Sequence, residues 1–218
     1  MPDKPEHKSA VATRRGDDGT TGLLFGSGRV FKDEPRTEAY GAIDEAIATL
    51  GIARAELGLK AQEGALPHTL ARLPEVILRL QRELFVVGAE LATAPDFLDR
   101  QKPGETRVTA EMVEGLDALL AETEAAVELP REFVVPGETR LSATLELART
   151  TVRRAERRAV ALRRAEPIPG DQLVPYLNRL ADLLWILARG AEQGESRVAT
   201  PSRAEPRRRR AGGDQKQV

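Results

Sequence analysis

The chain has 218 residues, 41% of them hydrophobic and 31% charged, which suits one large folded domain and excludes a wholly disordered chain. Its 33 Lys and Arg balance 34 Asp and Glu, so a net charge of -1 gives no global argument for nucleic acid or an anionic membrane as partner. With no Cys and only His7 and His68, there is no material for disulfides, a zinc finger, a thiol nucleophile or a histidine-rich metal site, and a reducing cytoplasm is the expected location.

Residues 1–12 mix Asp3, Lys4, Glu6 and Lys8 with Pro2 and Pro5, lack the apolar core of a secretory signal, and read as a flexible N-terminus. No apolar run approaches the roughly 20 residues that span a bilayer. Aromatic residues are only 4%, and long stretches are built from Ala, Leu, Glu and Arg, which predicts an all-α body. Residues 13–35 hold five glycines, 16, 19, 22, 26 and 28, and read as a loop.

Pro35 stands at a helix-entry position, and Ala39, Ile43, Ala46, Ile47, Leu50 and Leu57 recur at one-face spacing, predicting a first helix. A second runs from Pro74 through Ile77, Leu80, Leu84, Val87 and Leu91 towards Pro95. Thr109 is placed to cap a third, with Met112, Val113, Leu116, Leu119 and Leu120 inward and Pro130 beyond its end. Phe133 to Glu138 is a short apolar run closed by a Pro-Gly turn and reads as a linker tucked into the core rather than a strand. Ser142 to Arg164 predicts a long Arg-rich fourth helix, and Leu173 to Ala191 a fifth. The expected organisation is a five-helix bundle over residues 13–194 and a disordered tail over 195–218, of which residues 203–218 carry six basic and two acidic residues.

Standard nucleotide motifs are absent: there is no GxxxxGK[ST], and Gly26-Ser27-Gly28 lacks the third glycine and the βαβ context of a dinucleotide fold. Thr13-Arg14-Arg15-Gly16-Asp17-Asp18-Gly19-Thr20-Thr21-Gly22 would let backbone amides approach an anion, although such a stretch is more often a surface loop. On the fourth helix Arg149, Arg153, Glu156 and Arg157 share one face, suited either to a polyphosphate or to solvated intrahelical ion pairs. Asn178 and Asp182 lie i, i+4 beside an apolar stripe and are expected to find partners among the arginines of the fourth helix.

These blocks, with Arg29-Val-Phe-Lys32-Asp-Glu-Pro-Arg36-Thr-Glu-Ala-Tyr-Gly41, Asp44-Glu45, Phe133-Val-Val-Pro-Gly137, Ala148 to Arg157 and Tyr176-Leu-Asn178-Arg-Leu-Ala-Asp182, resemble in order the PduO-type ATP:cob(I)alamin adenosyltransferases. The resemblance implies a ferritin-like five-helix bundle of the cobalamin adenosyltransferase type, a homotrimer with active sites between subunits, and transfer of the 5′-deoxyadenosyl group of ATP to cob(I)alamin. Thr13, Gly16, Asp17, Gly19, Thr20, Thr21 and Lys32 would line the triphosphate, and Arg153, Glu156 and Asn178 would complete the ATP site. Asp44 would pair with Arg149 across the subunit boundary, and Phe133 would help expel the lower axial ligand of cobalt. Mg²⁺ would be held mainly through the ATP phosphates, with no direct protein ligand. A flavoprotein reductase and an adenosylcobalamin-dependent enzyme are the implied partners.

The sequence departs from the family pattern at Ala46-Ile47, where Leu-Asn is common, at Glu138 in place of a second Gly, at Glu146 in place of His and at Ala181 in place of Ser. Two rival readings follow: a corrinoid- and ATP-binding carrier or sensor with little turnover, and a nucleic-acid-binding helical protein resting on the Arg-rich helix and Arg207 to Arg210. The near-neutral charge and the lack of a recognised motif weigh against the second. A mechanism in which the cobalt is the nucleophile needs no His or Cys base, in keeping with this composition.

Overall fold

The computed structural model describes residues 11–64, 70–166, 168, 170–192 and 197–199. Five α-helices carry the fold: α1 (Pro35–Gln62), α2 (Leu73–Ala92), α3 (Ala110–Ala126), α4 (Arg140–Ala165) and α5 (Leu173–Glu192). α1 packs between α2 and α4, α4 between α1 and α5, and α3 rests on the far side of α5. The predicted stripes face inward: Ile43, Leu50, Leu57, Leu80, Leu84, Leu145 and Leu184 are fully buried in one continuous core. Exclusion of this apolar surface from water is the main force joining the helices.

The helix ends differ in detail from the sequence reading. α2 begins at Leu73 and α4 at Arg140, two residues before Ser142. Thr139 caps α4 reciprocally with Ser142, whose amide bonds the Thr139 hydroxyl while the Ser142 hydroxyl accepts from the Thr139 amide. Thr109 does occupy the N-cap of α3, but its side chain makes no capping bond.

Short strands correct the loop reading at both ends. Thr20–Gly22 (β1) and Arg29–Phe31 (β2) form an antiparallel hairpin within the glycine-rich stretch. Val134–Val135 (β3), read as linker, pairs with Arg197–Val198 (β4), and the Ala199 amide donates to the Phe133 carbonyl at 2.6 Å. The segment after α5 is expected to lack structure; residues 197–199 instead strap the Phe133 loop, and residues 200–218 lie outside the described residues, as do residues 1–10 of the expected flexible stretch 1–12. Phe133 itself is 90% exposed, so it is no part of the core.

The hairpin loop is stitched to the bundle where α2 ends. The Leu24 amide donates to Ala92 O at 2.8 Å and Ala94 N donates back to Leu24 O at 3.0 Å. Arg36, 2% exposed, donates to Leu91 O and Thr93 O and to the Glu166 carboxylate, so one guanidinium ties α1 to the ends of α2 and α4. A free helix C-terminus has unsatisfied carbonyls, and Arg36 supplies donors for two of them.

Candidate functional site

The N-terminal loop is a set of polar groups arranged by one arginine. Arg29 donates through Nε to the Thr20 hydroxyl at 2.5 Å and through Nη2 to the Arg15 and Thr20 carbonyls. Asp18 accepts from the Thr20 hydroxyl and amide at 2.8 and 3.0 Å. Those Thr20 bonds, the hydroxyl's first, and then Arg29 hold the Asp18 carboxyl below its usual range. Asp18 therefore braces Thr20 and Arg29 rather than Arg14 or Arg15, whereas the exposed Asp17 carboxylate has no partner among the described residues. Arg29 was not singled out by the sequence reading; its place in the same motif block was the only signal.

Glycine is favoured at two points of this loop. Gly19 sits at φ +81, a region costly for any side chain. At Gly16 a Cβ would lie 3.0 Å from Lys32 Nζ and 3.2 Å from Thr20 O. The Lys32 ammonium donates to Gly16 O at 2.7 Å, so the lysine is folded onto the loop it was expected to serve. Thr13, Asp17, Gly19 and Lys32 are exposed, Gly16, Thr20 and Thr21 are half-buried, and of these Lys32 and Gly16 are brought into direct contact.

The arginines of α4 divide by face. Arg154 and Arg158 form half-exposed ion pairs with Glu45 and Glu38 on α1, between helices and not within α4. On the other face Arg153 is exposed and its guanidinium has no partner among the described residues, while Arg157 donates only to Arg153 O. Glu156 accepts from Asn178 Nδ2 at 3.4 Å, joining α4 to α5. The expectation that Asn178 and Asp182 engage arginines of α4 is corrected: both are solvent-exposed, Asn178 bonds a carboxylate, and Asp182 bonds no arginine among the described residues.

Two clefts mark the surface of the bundle, the second of them bordered by Leu24 of the hairpin loop. A cleft of about 390 Å³ is lined by Phe133, Val134, Pro136, Glu146, Arg149 and Trp185. Arg149 donates through Nε to Glu146 at 2.7 Å, and Glu146 in turn accepts from Arg189 at 3.0 Å. A second, mostly apolar groove of about 280 Å³ between α1 and α2 includes Asp44, Tyr40, Ile47 and Phe85, the last 63% exposed. Asp44 has no partner among the described residues and is not paired with Arg149 within one chain. Nor does any described hydrogen bond or ion pair join the N-terminal loop to Arg153, Glu156 or Asn178. Among the described residues no group of three His, Cys, Asp or Glu is placed to hold a metal ion, and no helix is long and apolar enough to cross a membrane.

The fold is a helical bundle with an amide- and hydroxyl-rich N-terminal loop and, on its long fourth helix, an arginine without a partner among the described residues, groups whose chemistry suits an anion. The chain belongs to the cobalamin adenosyltransferase family, whose model matches residues 11–191. A corrinoid adenosyltransferase from Citrobacter freundii is 38% identical over 179 residues, covering 82% of this chain and 93% of that protein. One from Mycobacterium bovis is 40% identical over 187 residues, with 85% and 90% covered. Among solved structures, a variant PduO-type ATP:corrinoid adenosyltransferase from Lactobacillus reuteri complexed with cobalamin and ATP superposes with a TM-score of 0.72 at 27% identity, covering 86% of this chain and 94% of that one.

Proposed function

We propose that this protein transfers the 5′-deoxyadenosyl group of ATP to cob(I)alamin, forming adenosylcobalamin and triphosphate. Its family membership supports the reading, and the observation that carries the chemistry is Arg153: an exposed, permanently charged guanidinium without a carboxylate partner, beside the Glu156–Asn178 pair. In the reaction the cobalt(I) electron pair attacks C5′ of the ribose, the C5′–O bond breaks, and the triphosphate leaves with the bonding electrons. The protein's part is to position C5′ and to meet the charge that grows on the leaving oxygen. Lys32 and Arg153 would supply fixed cations, and the loop of Thr13, Gly16, Gly19, Thr20 and Thr21 would supply amides and hydroxyls. Glu156 and Asn178 would orient the adenosine end.

Mg²⁺ fits as a companion of the nucleotide, because Asp17 offers one unpartnered carboxylate and the described residues build no multidentate site. When bound through the phosphates it would neutralise part of the leaving-group charge. Phe133 would occupy the space of cobalt's lower axial ligand and keep water from replacing it, which makes cobalt(II) easier to reduce. The electron would come from a reductase, which the resemblance implies is a flavoprotein, and a cytoplasmic setting with an adenosylcobalamin-dependent enzyme as recipient belongs to the same proposal.

The site is proposed to lie between subunits of a homotrimer. Three features support sharing: the loop and Arg153 are not joined within one chain, Asp44 lies without a partner in an apolar groove, and both Nη atoms of Arg149 are without a described partner. Asp44 of one subunit would then pair with Arg149 of the next. A double-mutant cycle of Asp44→Ala and Arg149→Ala should show coupled losses; additive ones would separate the two residues. For the reaction itself, anaerobic protein mixed with cob(I)alamin and ATP should show the alkyl-cobalt spectrum and one triphosphate per turnover. ADP or pyrophosphate as the sole product would overturn the reading, and binding of both substrates without turnover would mark a carrier.

A further inference from the structure

Beneath the Phe133 cleft lies a chain of four charged side chains from two helices. Glu146 and Arg149 stand three residues apart on α4, and Arg189 and Glu192 three apart on α5. Side-chain exposure falls from 25% at Arg149 to 5% at Glu146, 1% at Arg189 and 0% at Glu192. Arg189 lies 3.0 Å from a carboxylate oxygen of both Glu146 and Glu192, and its guanidinium is 5.7 Å from the Trp185 ring that lines the cleft. Two guanidinium and two carboxylate groups therefore alternate from the interior to the cleft wall.

A charge this deep is retained only with partners, since arginine cannot shed its proton and an isolated buried ion is strongly unfavourable. Arg189 is not fully satisfied even so, because its Nε and Nη1 are buried without a hydrogen-bond partner among the described residues. That places a strong demand on Glu146 Oε1, which accepts Arg189 Nη2 and is thereby fixed by a neighbouring helix. The other oxygen, Oε2, accepts Arg149 Nε at 2.7 Å. A long, flexible side chain is thus held through its inner nitrogen, leaving the two outer Nη groups of its fork for whatever arrives at the cleft.

We propose that Glu146 is a positioning residue whose carboxylate, anchored by Arg189, sets the Arg149 guanidinium at the wall of the Phe133–Trp185 cleft. The inference rests on the adenosyltransferase reading for its catalytic consequence, although the positioning itself does not. Glu146 touches no substrate in this arrangement; it acts through Arg149. A carboxylate suits the position because it has two oxygens for two guanidinium groups, whereas an amide offers only one acceptor and presents an NH₂ to the other cation.

The test combines kinetics with structure on the full chain. Glu146→Gln is expected to lower kcat tenfold or more while the KM for ATP changes less than about twofold, because the triphosphate contacts lie elsewhere. In an Arg149→Ala background the same change should have no further effect on kcat, whereas additive losses would show that Glu146 acts by another route. Should Glu146→Gln not fold, Glu146→Met, Arg189→Met and Glu192→Met together replace the three buried charges by apolar side chains of similar length. The folded triple variant should show the same kcat loss as Arg149→Ala, and full activity in it would overturn the proposal. Crystal structures of the wild type and either variant give a readout without turnover: Arg149 should leave its orientation in the variant, and an unmoved Arg149 would overturn the proposal. A wild type that transfers no adenosyl group but whose Arg149 shifts on substitution would overturn the function and leave the positioning standing.

Discussion

The N-terminal loop and the Glu146–Arg189 cluster both organise arginines, but they do so under opposite dielectric conditions. In the loop Arg29 is 41% exposed and Asp18 61%, so water competes for every bond and the net stabilisation of each is small. In the cluster Arg189 and Glu192 are sealed between helices, and a missing partner leaves a charge that nothing replaces. The loop can therefore yield to an incoming anion, with Lys32 leaving Gly16 O, whereas the cluster fixes geometry and tolerates little change. One region is adaptable because its bonds are weak in water; the other is rigid because breaking its bonds is costly in the interior.

The contrast is broken most severely at Arg189. Arg189→Ala removes the buried cation shared by Glu146 and Glu192 and is expected to destabilise by about 3–5 kcal/mol, measured by urea unfolding. A loss below about 1 kcal/mol would show that water reaches the cluster.

Glu90 sharpens the comparison, being a carboxylate that is buried without a bonded cation. It is 1% exposed, Oε2 accepts the Val108 amide at 2.6 Å, Oε1 has no hydrogen-bond partner among the described residues, and Arg107 and Arg163 act only at longer range. Burial pushes its carboxyl from 4.5 up to about 7, against the opposing effects of the Val108 bond and the two arginines. The folded state then holds a proton that the unfolded chain releases, so this group's contribution to stability is present below pH 4.5 and is lost as pH rises through about 7. Glu90→Gln should stabilise by about 3 kcal/mol at pH 8 and have little effect at pH 4.5. Equal effects at the two pH values would show that Glu90 does not titrate in this window.

Phe133 tests whether a rigid floor can carry an exposed wall. Its ring is 90% exposed, so Phe133→Ala should change stability by less than about 0.5 kcal/mol. The reaction starting from cob(II)alamin should nevertheless slow at least about tenfold more than that starting from cob(I)alamin, or ~1.4 kcal/mol. Truncation after Glu192, which removes the Arg197–Val198 strand, should give a weaker version of the same selective loss, whereas truncation after Ala199 should not. Equal losses from both cobalt states would make Phe133 an ordinary contact.

The change in stability expected at the loop itself is small as well. Arg29→Ala should cost less than about 1 kcal/mol in folding, and calorimetry should show ATP affinity falling about tenfold as Thr20 and the Arg15 carbonyl lose their common donor. Unchanged affinity would show that the loop orders around the nucleotide without it.

The sequence by itself determined the five helices, because each apolar stripe repeats at helical spacing and local backbone bonding needs no distant partner. It also carried the loop motif and Arg153, whose residue types alone suit a phosphate. Tertiary structure alone decided the rest. The β3–β4 strap joins residues more than 60 positions apart through backbone bonds, which leave no periodic trace in two-residue strands. Glu146 with Arg149 and Arg189 with Glu192 look like ordinary i, i+3 surface pairs until the packing of α4 on α5 removes water from both. Arg149 and Arg153 are one helical turn apart in sequence, yet one is held by a buried carboxylate and the other stands exposed, because burial is a property of the neighbouring helix and not of the residue.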